Sequence, residues 1–330
     1  MDPVSQGALG AAAALVVAKP DQIRSVAMLG ALAGMAPDLD VFIRSSADPL
    51  LFLEYHRQFT HALVFIPVGA LICALVLGTL VRGRLSSRAI YWACLLGYGS
   101  HGLLDACTSY GTQLFWPFTD ARIAWNNVSV IDPLFTVPLV VGVGLACCRH
   151  SPRMARSAAM WALAYLLLGV AQRERAEVLG SEIAATRGHA PEELVAKPAF
   201  GSLLLWRTFY EHEGAYYVDA ARLGFAAKVF AGERAAKFDT TRDVPWLSVN
   251  SQQARDVERF RWFSNDYLAL DPGHPQRVID VRYSMVPTRI EALWGIELEV
   301  GAAPDVHARF FTERRPSKAQ RQEMLRLLTD

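Results

Sequence analysis

His101 and Asp105 lie four residues apart in GYGSHGLLDACTSYGTQLFWPF, residues 97–118, so a helix projects both from one face. Burying either group among apolar neighbours is costly unless a partner or a metal ion compensates. Two earlier stretches carry the same chemistry: APDLD supplies Asp38 and Asp40, and HRQFTH supplies His56 and His61. One residue separates the aspartates, which suits an irregular strand-like turn with both carboxylates on one side. His56 and His61 are five apart, roughly 140° around a helix, so one helical face does not carry both. That spacing predicts His56 in a loop, Thr60 as N-cap and His61 in the first turn of a helix.

Three imidazoles and three carboxylates make a nitrogen and oxygen donor set without sulfur. It suits a divalent cation, zinc first, with manganese or iron as alternatives. Six ligands serve one ion, or two that share bridging carboxylates, and such sites carry out metal-assisted hydrolysis. In that chemistry Asp40 or Asp105 is the carboxylate to act as general base. The structural alternative is a His–Asp hydrogen bond that holds two helices together. Asp132 reads as a further ligand, an acceptor that orients a histidine, or an N-cap ahead of Pro133. Arg57 and Arg122 either contact an anionic substrate or simply snorkel. The other histidines, at 150, 189, 212, 274 and 307, have no partner at metal spacing. The five cysteines show no CxxC pair and none follows residue 148, which excludes a thiolate zinc site and a disulfide framework.

Apolar segments must position these donors. Hydrophobic residues make up 52% of the 330 and crowd the first half, while the mean hydropathy is +0.19. The asymmetry predicts an α-helical integral membrane bundle over residues 1–171, then a soluble, strand-rich α+β domain over 172–330. Short helices are expected at 4–18 and 26–36, and membrane spans at 62–81, 89–107, 130–148 and 157–171. Pro67 then falls inside a span, where neighbouring helices satisfy the freed carbonyl. Arg82, Arg84 and Arg88 fill one connection, and Arg149, Arg153 and Arg156 another, two spans later. Both belong on the cytoplasmic side, which places the loop 108–129 and the soluble domain in the periplasm. All the candidate donors then fall at helix ends on that same side.

The second half predicts an amphipathic helix over 173–188, strands within 200–210, 214–222, 278–286 and 294–300, and a closing helix over 318–330. The start of the chain lacks the basic n-region of a secretory signal. A net charge of +1 gives no reason to expect a nucleic-acid partner. Membrane lipids and an amphiphilic or anionic substrate are the expected partners.

APDLD, HRQFTHAL and the 97–118 segment, in this order within a multi-span chain, resemble the bacterial membrane-bound metal-dependent hydrolase family, the YdjM-like group. Its pattern runs PDxDH, then HRGxTHS, then GYxSHxxxDxxTxxG with a WP pair downstream. The resemblance covers about residues 1–135 and implies an inner-membrane hydrolase with metal ligands Asp38, Asp40, His56, His61, His101 and Asp105. Two departures stand out: Gln6 and Val41 occupy positions where family members often carry histidine, which points to a smaller or mononuclear site. The expectation is hydrolysis at the outer membrane–water interface of a phosphoester or lipid-linked substrate. The alternative is a non-catalytic membrane protein with a structural metal site or ion path and a partner-binding soluble domain.

Overall fold

Alanine and glycine dominate the first two helices, α1 (Pro3–Leu15) and α2 (Ile23–Met35), and this composition sets how closely helices approach them. Asp2 caps α1 by accepting from the backbone N–H of Val4 and Ser5, with Pro3 at the first helical position. The computed structural model describes residues 1–329. In it, a Cβ on Gly97 of α5 (Ser87–Cys107) would stand 2.4 Å from the Gly30 carbonyl oxygen. Helices α2 and α5 therefore meet backbone to backbone, which only a residue without a side chain permits.

Where α2 ends, the chain tightens into a 3₁₀ helix, Ala36–Phe42, that carries Asp38 and Asp40. The strand-like turn expected there does not form, because the helical winding continues through Pro37. After the short α3 (Leu51–Tyr55), two 3₁₀ turns, Phe59–His61 and Leu63–Phe65, precede α4 (Ile66–Leu77). Thr60 is thus no N-cap. Pro67 falls in the first turn of α4, where its missing N–H has no helical partner to lose. The bundle continues with α6 (Pro133–Arg149) and α7 (Pro152–Thr186).

Among the described residues, three helical stretches are long and apolar enough to cross a membrane: Pro20–Phe42, Leu63–Val81 and Pro152–Thr186. The apolar α6 is shorter, at 17 residues. Helix α5 has 21 residues, a length of about 31 Å, but its glycines, His101 and Asp105 dilute its apolar character. The break expected between a span ending at 171 and a separate helix from 173 is absent, and α7 runs unbroken for 35 residues. No proline interrupts it, and the charged residues from Arg173 onward are good helix formers.

The chain divides into two compact units. The first takes in residues 1–42, 55–171 and 200–202, and the second 43–54, 172–199 and the chain from Leu203 onward. The second contains two antiparallel four-stranded meanders. One is β1 (Leu194–Pro198), β2 (Leu205–His212), β3 (Ala215–Leu223) and β4 (Ala227–Ala236). The other is β5 (Leu268–Asp271), β6 (His274–Asp280), β7 (Trp294–Glu297) and β8 (Arg309–Thr312). Phe209, Tyr216 and Val218 of the first pack with Ala269, Ile279 and Phe311 of the second in one buried cluster. Burial of each large side chain contributes about 1.5–3 kcal/mol.

Between the sheets come α8 (Thr240–Asp243) and α9 (Gln252–Phe263), and α10 (Lys318–Thr329) follows them. The expected closing helix extends to Asp330, which lies outside the described residues. Segment 43–54 joins this unit because Arg259 of α9 bonds Asp48 and Glu54, at 2.8 and 2.5 Å, and Phe52 stacks edge-on to Phe310. Strands β1, β4, β5 and β8 escape the sequence pattern. β4 shows why: it is an exposed edge strand, alanine-rich and charged, so its alternation is weak.

Candidate metal centre

Helix α5 presents His101 and Asp105 one turn apart, both fully buried. The Nδ1 of His101 lies 2.5 Å from the carbonyl oxygen of Gly34. A carbonyl only accepts, so Nδ1 carries the proton and Nε2 presents its lone pair. His61, in the 3₁₀ turn, is held in the same sense. Its Nδ1 donates to Thr60 Oγ1 at 2.9 Å, and that hydroxyl donates onward to Asp40 Oδ2 at 2.8 Å. The two Nε2 atoms then face each other at 2.9 Å. Lone pairs so placed repel unless a positive charge lies between them.

Two carboxylate oxygens complete the surround. Asp38 Oδ1 is 3.5 Å from His61 Nε2 and 3.4 Å from His101 Nε2. Asp105 Oδ2 is 3.3 and 3.6 Å from the same two atoms. A tetrahedron of donors 2.0–2.1 Å from an ion has edges of about 3.3–3.4 Å, whereas an octahedron of that radius has adjacent edges of about 3.0 Å. The four carboxylate–imidazole edges, 3.3–3.6 Å, lie nearer the tetrahedron, and the 2.9 Å imidazole–imidazole edge lies nearer the octahedron.

The residues present fit a cation on a second ground. Asp105 Oδ2 is buried and has no hydrogen-bond partner. Arg57 Nε stands 2.9 Å away but outside hydrogen-bonding alignment. The other oxygen, Oδ1, accepts from the amino group of Met1 and from Gln6 Nε2, the latter at 2.8 Å. A buried carboxylate oxygen 3.3–3.6 Å from both imidazole Nε2 atoms is a donor that a cation site can use, although Arg57 Nε already pairs with it at 2.9 Å. The electrostatics agree. Burial disfavours charge on His61, yet Asp105, Asp38 and Asp40 outweigh it and push its imidazole up to about 10, so without an ion a proton on its Nε2 fills the space between the two rings. The pocket draws positive charge.

A second group, Asp38, Asp40 and His56, shares Asp38 with the first, and its donor atoms lie within 4.8 Å of one another. Among the described residues, these two groups bring together Asp38, Asp40, His56, His61, His101 and Asp105, the six donors of the candidate set. The carboxylates of Asp38 and Asp40 do not point the same way, since Asp38 meets the Nε2 edge of His61 and Asp40 its Nδ1 side. Asp40 also accepts from His56 Nδ1 at 2.7 Å and from the Arg57 backbone N–H at 2.9 Å. It therefore orients both imidazoles whether or not it also touches an ion.

Asp132 belongs to neither group. Of its three readings the N-cap holds: it accepts from Leu134 and Phe135 N–H and from the Tyr165 hydroxyl at 2.9 Å. The cysteines contribute no donor to either group.

Several positioning residues have no sequence signal. Arg57 adopts a left-handed backbone, φ 65°, which costs a non-glycine residue about 1–2 kcal/mol. The bond from its N–H to Asp40 and that from its Nη1 to Thr108 Oγ1, at 3.1 Å, offset this strain. Its guanidinium stacks over Tyr110, with Arg122 over the same ring. Loop 108–129, which the sequence reads only as a connection between spans, staples the histidine segment through main-chain bonds. Gln113 N–H donates to Arg57 O and Leu63 N–H to Leu114 O, each at 2.9 Å. The Tyr98 hydroxyl of α5 bonds Thr60 O at 2.8 Å.

Residues 1–176, more than half of the chain, match the family model described as YdjM inner membrane protein. The chain is also 26% identical over 148 residues to "Uncharacterized protein YfhP" of Bacillus subtilis (strain 168). That alignment covers 44% of this chain and 45% of the relative, so the chain spans a little under half the length of the curated relative it matches. No solved structure matches it. With every donor segment inside the matched region, this chain belongs to the YdjM inner membrane protein family.

Proposed function

We propose that this chain is a membrane-bound, metal-dependent hydrolase acting at the outer membrane–water boundary on phosphoester or lipid-linked substrates. The observation that supports it most is the pair of imidazole Nε2 atoms 2.9 Å apart, with Asp38 Oδ1 and Asp105 Oδ2 converging on both. Asp38, His61, His101 and Asp105 would hold one ion, and Asp38 with Asp40 and His56 a second. Zinc suits this nitrogen and oxygen donor set best, ahead of manganese and iron. When bound, a divalent ion supplies Lewis acidity to the scissile group and acidity to water.

The chain's own residues do the rest. Asp38, with a quarter of its side chain exposed, faces solvent while the other three donors are buried, so substrate approaches from its side. Asp105 is shut away and crowded by Arg57 and the Met1 amino group. Asp40, coupled to the partly exposed His56, is the better carboxylate for moving a proton. Burial holds the His56 imidazole below its ordinary value despite Asp40, which favours the neutral ring that an ion needs.

Four protein donors also suffice to close a tetrahedral shell, and that observation favours the second reading, a structural metal site or ion path. Metal analysis of the purified protein, followed by hydrolysis of chromogenic phosphoesters with zinc, manganese or iron restored, separates the two. The hydrolase reading expects metal-stimulated turnover that falls at least about a hundredfold in Asp38→Asn. Stoichiometric, chelator-resistant metal with no turnover on any phosphoester or lipid-linked probe would support the structural site.

Orientation is part of the proposal: a multi-pass protein of the bacterial inner membrane with its second unit in the periplasm. It rests on the arginines at 82 and 84 between α4 and α5, with Arg88 in the first turn of α5, and at 149, 153 and 156 around the junction of α6 and α7. Reporter fusions at residues 85 and 152 should read as cytoplasmic, and one at the C-terminus as periplasmic. A cytoplasmic C-terminus would remove the argument that the donors face outward.

A further inference from the structure

Phe225, at the tip of the hairpin between β3 and β4, is fully exposed. A single exposed phenylalanine is unremarkable; its surroundings are what matter. The hairpin is tied to α7 just where that helix turns from apolar to polar. Gln172 Nε2 donates to Leu203 O and Leu223 O, at 3.1 and 3.0 Å, and Arg175 Nη2 donates to Gly224 O at 3.2 Å. The stretch of α7 before Gln172 presents exposed Leu163, Leu167 and Leu168, side chains suited to lipid. The tip is therefore bonded to α7 just past the apolar stretch of that helix.

The chemistry around the ring fits a membrane boundary. Leu204, nearly half exposed, sits beside the tip, its carbonyl accepting from Leu223 N–H at 2.6 Å. Arg222 and Lys228 pair in register across β3 and β4, and Arg175 approaches from α7. No carboxylate occurs in the sequence between Asp219 and Glu233. An apolar point ringed by cations is the pattern of a segment that sits in the headgroup layer.

We propose that the β3–β4 tip is an interfacial membrane anchor, with Phe225 and Leu204 entering the boundary between headgroups and acyl chains and Arg175, Arg222 and Lys228 meeting anionic lipid phosphates. The proposal is independent of the metal centre and of which side of the membrane the second unit occupies, since either leaflet offers the same boundary. The bilayer is the committed occupant because the tip is bonded to a helix long and apolar enough to cross a membrane, just past its apolar stretch.

Photocrosslinking of the full chain in phosphatidylethanolamine–phosphatidylglycerol vesicles tests it. A benzoylphenylalanine at position 225 is compared with one at His274, the polar tip of the β5–β6 hairpin, with unchanged thermal unfolding required of both. Lipid adducts at 225 are expected to exceed those at 274 about tenfold, the ratio that partition of a phenylalanine ring sets. Arg175→Glu with Lys228→Glu should lower the yield at 225 in these anionic vesicles. Adducts chiefly to a second copy of the chain or to another protein, or equal lipid labelling at both tips, would overturn the anchor.

Discussion

His101→Ala is expected to strip the bound metal while leaving the protein inserted in the membrane. The ring is fully buried, its Nδ1 is anchored on Gly34 O, and its Nε2 supplies one corner of the donor tetrahedron. Structural zinc sites bind with about 10–16 kcal/mol shared among four ligands, so one corner is worth about 3 kcal/mol, more than a hundredfold in affinity. Insertion depends on the apolar runs and should not change. His212→Ala is the control, because that ring stacks on His189 at 4.1 Å and has no place in either donor group. Elemental analysis of the three purified proteins decides the matter. Equal metal in all three would sink the site.

Gly102→Val should lose metal without touching a single donor. A Cβ on Gly102 would lie 2.4 Å from the carbonyl oxygen of His61, so the α5 backbone is in direct contact with the histidine turn. Three added carbons must push that turn and α5 apart, and a metal site tolerates distance errors of only about 0.2 Å. We expect metal affinity to fall at least about tenfold, and stability to drop by about 1–3 kcal/mol through overpacking. Gly144→Val is the matched control: it lies in another apolar helix, and a Cβ there meets nothing within 4 Å. Metal content and unfolding temperature should separate the two variants. Wild-type metal binding by Gly102→Val would mean that this contact does not hold His61 against His101.

The sequence alone determined the donors and the apolar frame around them. His101 and Asp105 are legible because ionisable side chains are rare in apolar helices, and APDLD and HRQFTH because their side chains share one coordination chemistry. Apolar runs at 62–81 and 157–171 were likewise plain, since span length follows directly from bilayer thickness. Only the tertiary structure decided how the donors divide. Asp38 joins both groups, Asp40 holds the far side of His61, and Gln6 and Arg57 converge on Asp105. It also decided that α7 runs unbroken and that segment 43–54 packs with the strands of the second unit. The reason is common to all of these. Local periodicity reports which face a residue occupies, whereas the donors come from segments around 38–40, 56–61 and 101–105 that are distant in sequence. What brings them together is a backbone contact at Gly30 and Gly97, another at Gly102, and main-chain bonds from the 108–129 loop. Glycines and main-chain groups carry no side-chain signature, so their pairing emerges only once the chain has folded.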